Sequence, residues 1–247
     1  MINAFLRGFT APLRAAGLLA RAPQLWRYIL VPIVVNLVVG ATLYAGLLLA
    51  GFRAIDGTLA ALPDWAAVFA TLLRVLLVLL LLIVTGFVLV RFGVVLGSPW
   101  YARLSDQLEQ LQFGRAPEAG SGLPAALRDL GRALAFELKK LLLVLVVALL
   151  LLLLNAVPVA GQLIATAGSI ALGATIACLD FLDYPLERRR LGFRAKLGVI
   201  RRHLPATAGF GLAALALVSI PLLNLLAIPI CVAAGTLLFC DQMRELR

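Results

Sequence analysis

Charge is missing from the longest stretches of this chain. Leu141 to Leu179 is 39 residues without Asp, Glu, Lys or Arg, and Leu204 to Cys240 is another 37. No soluble domain buries runs of that length, and each is nearly twice the roughly 20 residues that one helix needs to cross a bilayer. Histidine is almost absent as well, with His203 the only one among 247 residues. The three cysteines, Cys178, Cys231 and Cys240, lie in apolar surroundings and show no C-x-x-C spacing. Zinc takes about four ligands from Cys, His or carboxylate, so no metal site is expected and the thiols read as buried and inert. Walker A, G-x-S-x-G and H-E-x-x-H motifs are absent too. The expectation is therefore no enzyme and no cofactor. Without a nucleotide site, any transport is expected to be passive or coupled to an ion gradient.

What is present is apolar. Hydrophobic residues make up 63% of the chain and the mean hydropathy is +1.05. These values describe an all-α integral membrane protein, read as a single membrane domain over 1–247. The net charge is +10, from 22 Lys and Arg against 12 Asp and Glu. In a soluble protein that balance suggests nucleic acid. Here the basic residues sit at the ends of apolar runs, where they meet anionic lipid and set orientation. The expected partner is the lipid bilayer, with no nucleic acid.

Along the chain, residues 1–28 read as an amphipathic interfacial helix. Arg7, Arg14 and Arg21 recur every seven residues, with Ile2, Phe5, Phe9 and Leu13 on an apolar side. Such a helix lies on a membrane surface; Pro12 leaves a disordered basic tail as the alternative. The continuous apolar segment and cleavage site of a signal peptide are not seen here. Residues 29–51 form a first transmembrane helix, in which Asn36 and Gly40 suit close helix packing. Residues 65–96 form a second. It carries Arg74 and Arg91 with 16 uncharged residues between them, roughly 24 Å of helix against a hydrocarbon core of about 30 Å. The two arginines are expected to snorkel to opposite interfaces, the alternative being an Arg74 that faces a pore.

Ser98-Pro99 is expected to end that span. Residues 98–140 then read as cytoplasmic amphipathic helices around a Gly/Pro/Ser-rich loop at 115–122, with Leu104, Leu108 and Leu111 on one stripe and Leu127, Leu130, Leu134 and Leu138 on another. Two hairpins follow, 141–179 and 204–240, separated by a basic cytoplasmic segment at 180–203. Their first arms, Leu141–Leu154 and Leu204–Ile220, are short for a crossing, so the hairpins either penetrate partly or turn tightly at the far surface. Each has a Leu-rich arm, an Asn/Pro apex and a Gly/Ala-rich return, the paired interruption that points to a transport site. The basic residues of 1–28 and 180–203 fall on one side, which places both termini in the cytoplasm.

Candidate chemistry is sparse. Asn155 is a candidate cap for a helix containing Pro158, and Asn224, after Pro221, for a helix running through Pro229. Helix N-termini in lipid attract anions; the alternative is that these residues only shape turns. Ahead of the first span, Pro23-Gln24-Leu25-Trp26-Arg27-Tyr28 offers the forked Arg27 guanidinium to a tetrahedral oxyanion, or anchors the interface. The candidate substrate-binding residues are thus Gln24, Leu25, Arg27, Asn155, Pro158, Pro221, Asn224 and Pro229. Asp180 and Asp183 either relay protons or pair with Arg188 or Arg189.

Several stretches are similar to one known family: Pro23…Arg27-Tyr28…Pro32…Asn36, Pro63-Asp64-Trp65, Ser98-Pro99-Trp100 with Leu104 to Glu109, Asp183-Tyr184-Pro185, and Ile220-Pro221-Leu222-Leu223-Asn224-Leu225…Pro229. They resemble the CysZ family of bacterial inner-membrane sulfate permeases, related to the etoposide-induced membrane proteins. The resemblance implies uptake of sulfate or a similar oxyanion for cysteine synthesis, and a homo-oligomer. It also implies two full transmembrane helices, two partly penetrating hairpins and amphipathic helices at the surface. The family's motif before the first span resembles Pro-Gly-Leu/Ile-Arg-Arg. Here Gln24 stands at the glycine and Trp26 at the first arginine, leaving Arg27. A non-transporting assembly protein on the same scaffold is the alternative function.

Overall fold

The computed structural model describes residues 1–59, 67–114, 123–220 and 223–245 and is helical through most of them. Pro63-Asp64-Trp65, the loop at 115–122, Pro221 and Leu222 lie outside the described residues, as do the side chains of Arg91, Leu127 and Leu130. The chain divides into two compact units, Arg27–Trp100 and Met1–Trp26 with Tyr101–Arg247.

The smaller unit holds α3 (Arg27–Leu59) and the first part of α4 (Ala67–Phe113). Both contain stretches long and apolar enough to cross a membrane. Their apolar side chains face outward, with Leu37, Val38, Leu72, Leu80 and Ile83 all more than half exposed, a surface that only lipid tolerates. The two helices meet at Gly51, where any added Cβ would collide with Leu77, and the Tyr44 hydroxyl donates to the Val78 carbonyl at 3.3 Å. Arg74 does not stand alone: it pairs with Asp56 of α3 at 2.5 Å. Ser98-Pro99 does not end the span. Pro99 lies inside α4, since one proline removes a single ladder bond while the flanking turns keep theirs.

The larger unit contains α1 (Ile2–Phe9), α2 (Ala11–Arg21), a 3-10 turn (Pro23–Leu25), the end of α4, α5 (Leu123–Leu154), α6 (Ala160–Arg188), α7 (Phe193–Arg202), α8 (Leu204–Val218) and α9 (Leu223–Glu245). Helix α9 is at its centre. Cys231 to Thr236 are buried without interruption, so every face of that helix has a neighbour. Small residues make this possible. A Cβ on Gly211 would collide with the Ala174 carbonyl, and one on Gly235 would come within 2.6 Å of the Phe181 carbonyl; close backbone approach is the usual basis of helix association in lipid. The Gly/Ala-rich return arms are therefore packing faces. All three cysteines are buried.

Two expectations need correcting. Residues 1–28 are not one surface helix: α1 and α2 break at Thr10, and α1 packs on α8 while α2 packs on α9. On α5, Leu134 and Leu138 are 63% and 69% exposed while Phe136 is buried. The inward face is Arg132, Phe136 and Lys140, one residue per turn. Nor is there a boundary at 140/141, because α5 runs unbroken to Leu154. The return arms α6 and α9 are each long enough to cross a membrane, whereas α8 is a shorter apolar helix of 15 residues.

Candidate functional site

A cluster of charged side chains in the larger unit is built from α4, α5, α6 and α7, beside α9. Helix α4 brings Ser105, Asp106 and Glu109 onto one face by its i, i+4 spacing. Arg188, in the last turn of α6, donates to Asp106 at 2.9 Å, Ser105 at 2.5 Å and Glu109 at 3.1 Å. Arg189 donates to Glu109 at 3.2 Å and to the Pro185 carbonyl at 2.9 Å, with its guanidinium 4.3 Å from the Phe239 ring centre. Glu109 is fully buried. The Thr236 hydroxyl of α9 lies 2.8 Å from that of Ser105.

A second group sits beside it. Lys196 of α7 is buried between Asp183 and Glu187, with its ammonium 4.3 Å from the Phe136 ring centre. Glu187 also accepts from Arg132 at 3.1 Å. Lys140 reaches Asp180 at 2.7 Å and Glu137 at 2.9 Å. Burial pulls its ammonium pKa down, but the two carboxylates outweigh that and raise it. Tyr101 is buried, and desolvation pushes its hydroxyl pKa up to about 12. Asp180 and Asp183 thus pair with Lys140 and Lys196, not with Arg188 or Arg189. Every cation in this cluster is matched by a carboxylate, so it offers an incoming anion little net attraction. Its chemistry is that of a brace joining four helices.

The candidate binding residues are placed unevenly. Gln24 and Arg27 are exposed and Leu25 is buried, so Leu25 anchors the turn instead of meeting a ligand. The Trp26 indole donates to the Leu19 carbonyl at 3.0 Å. Arg27 donates to the Tyr28 hydroxyl at 2.6 Å and lies 4.6 Å from that ring's centre. Asn155 is exposed in the turn between α5 and α6 and caps nothing; Val159, at φ 60°, holds the cap position of α6 without a side-chain bond. Pro158 is in that turn, outside the helix. Asn224 is the second residue of α9 and is buried, inside the helix and not at its cap. Buried Pro229 lacks an N–H, leaving the Leu225 carbonyl without its helical donor. Pro221 lies outside the described residues. Asn155 lies outside α6 and Asn224 inside α9, so the two asparagines are not a matched pair of helix caps. Glu109 and Ser105 were missed because they interleave with Leu104 and Leu108; two polar residues inside an otherwise apolar stripe were the available signal.

These features define an all-helical membrane protein with small-residue packing and a charged brace at one end. The chain belongs to the sulfate transporter CysZ/etoposide-induced protein 2.4 family, whose sequence profile matches residues 11–229. Relatives named sulfate transporter CysZ include that of Pseudomonas aeruginosa strain LESB58, 30% identical over 223 residues, 90% of each chain. The Pectobacterium atrosepticum protein is 28% identical over 91% of this chain and 81% of its own. That of Vibrio parahaemolyticus is 25% identical over 93% and 92%.

Proposed function

We propose that this protein carries sulfate or a similar tetrahedral oxyanion across the bacterial inner membrane, as a channel or an ion-gradient-coupled permease, without enzymatic activity or cofactor. The observation behind this reading is the family match across residues 11–229, on a chain whose described residues include four helices long and apolar enough to span. A homo-oligomer with both termini in the cytoplasm belongs to the same reading. Arg27 is the leading anion contact: its guanidinium is exposed, its geometry suits an oxyanion, and the Tyr28 hydroxyl orients it. Gln24 adds an amide where the family motif has glycine. Asn224 is a separate candidate, a buried amide at the start of the central helix. Asn155 and Pro158 keep only their position at an apex.

The test is sulfate uptake into proteoliposomes. Replacing Arg27 with alanine removes a charge-assisted bond worth about 1.5–3 kcal/mol, so flux is expected to fall about tenfold or more, with the variant still monodisperse. Asn224→Ala should lower it severalfold. A well-folded wild type that passes no sulfate ends the transport reading and favours the assembly protein, to which the Trp26 substitution already points. Flux unchanged in both variants keeps transport but removes these two residues.

A further inference from the structure

The brace pairs its charges internally, and the same unit holds a second, basic site. Helices α1 and α2, the start of α8 and the end of α9 enclose a groove of about 570 Å³, with Arg7, Arg14, Arg202, His203, Asp241 and Gln242 in its lining. Among the described lining residues, three guanidinium groups face one carboxylate. Asp241 takes Arg14 at 3.2 Å, and the other end of Arg14 donates to the Arg7 carbonyl at 3.0 Å, so Arg14 is held in place. The His203 ring nitrogen Nδ1 lies 3.1 Å from the Val199 carbonyl.

Gln242 is the informative residue. It is only 6% exposed, and neither its amide nitrogen nor its oxygen has a hydrogen-bond partner. A buried amide is normally satisfied; this one lines a basic groove. Helix α8 also starts here, its N-cap His203 making no side-chain cap bond, which adds the partial positive charge of a helix end. Close by in the chain, Ile2, Leu6, Phe9, Leu13 and Leu204 are exposed apolar side chains, a surface suited to acyl chains and not to water.

We infer that this groove binds the phosphate-bearing headgroup of an anionic phospholipid. The arginines and the Gln242 amide hydrogens meet the phosphodiester oxygens, while α1 and α2 lie among the acyl chains. Basic pockets between helices flanked by an amphipathic segment recognise headgroups in this way. A free inorganic oxyanion shares the chemistry but would make no use of the apolar flank.

The experiment titrates the full-length protein in detergent with phosphatidylglycerol, phosphatidylcholine or inorganic phosphate, reading bound lipid by native mass spectrometry and the unfolding midpoint in parallel. Phosphatidylglycerol should bind saturably and about tenfold more tightly than phosphatidylcholine. Arg202→Ala should weaken it about tenfold. Gln242→Leu should weaken it severalfold without lowering the midpoint, because the amide has no protein partner to lose. Equal binding of the two lipids, or unchanged affinity in both variants, overturns the inference. So does complete displacement of phosphatidylglycerol by millimolar inorganic phosphate, which would make the groove a site for free anions. None of these readouts depends on sulfate flux.

Discussion

Replacing Glu109 with alanine should leave little folded protein in detergent extracts. The carboxylate is fully buried and accepts from both Arg188 and Arg189, whose side chains are 14% and 24% exposed. Alanine would leave Arg189 without its carboxylate, and Arg188 with Asp106 alone, in a site water barely reaches. Removing one partner of a buried ion pair costs about 3–5 kcal/mol, a large part of the roughly 5–15 kcal/mol that holds a domain folded. In thermal unfolding the midpoint should drop by roughly 6–20 °C. The conservative Glu109→Gln keeps the volume and one acceptor and should lose less. A more discriminating variant removes charge from both sides. Glu109→Leu with Arg189→Met puts two apolar side chains against Phe239 and leaves Arg188 its bonds to Asp106 and Ser105. Apolar replacement of a buried pair is often neutral or stabilising, so this double variant should unfold well above Glu109→Ala. A midpoint for Glu109→Ala within about 1 °C of wild type would mean that this carboxylate does not hold α4 to the end of α6.

The apolar segments were plain in the sequence because hydrophobicity marks where lipid must be. Residues 29–51 and 65–96 lie mostly within α3 and α4, and the 141–179 run contains the turn between α5 and α6. Helix ends were less legible. Helix α4 passes through Pro99 and α5 passes the charge boundary at Lys140, because a long apolar helix tolerates one lost backbone bond and charged flanks continue its hydrogen-bond ladder. Asn155 looked like a cap from its residue type. Capping, however, depends on the φ and ψ of a single residue, and the bend places Val159 there. Pairing among charges was invisible for another reason. Residues 188–202 offer seven basic side chains, and which of them turn inward depends on how α6 ends and how α7 packs. Lys196 does so because Phe136, from α5, gives its ammonium an aromatic face. The docking of α1 was missed because its signal is an absence of side chain, at Gly8 and Gly209, which no periodicity of apolar residues reports.

That docking carries the second large expectation. A Cβ on Gly8 would collide with the Ala206 carbonyl, and one on Gly209 with the Phe5 carbonyl and Phe9 amide. In both cases the obstacle is backbone, which cannot rotate away as a side chain can. Gly209→Leu should therefore push α1 off α8, at about 3 kcal/mol or more, the upper end for overpacking. The rest of α8 retains its contacts with α6, where Gly211 meets Ala174, so the loss should stay local. Hydrogen exchange should show residues 2–9 losing protection while 223–242 keep theirs. The effect separates two roles for the N-terminal segment. If α1 is held only by lipid, Gly209→Leu changes nothing in a bilayer, and the close glycine contacts are incidental. If α1 is held by α8, the variant also moves Arg7 and the Arg7 carbonyl that receives Arg14, and the basic groove opens with it. Phosphatidylglycerol binding should then fall alongside protection of α1, whereas Gln242→Leu should weaken binding and leave that protection intact.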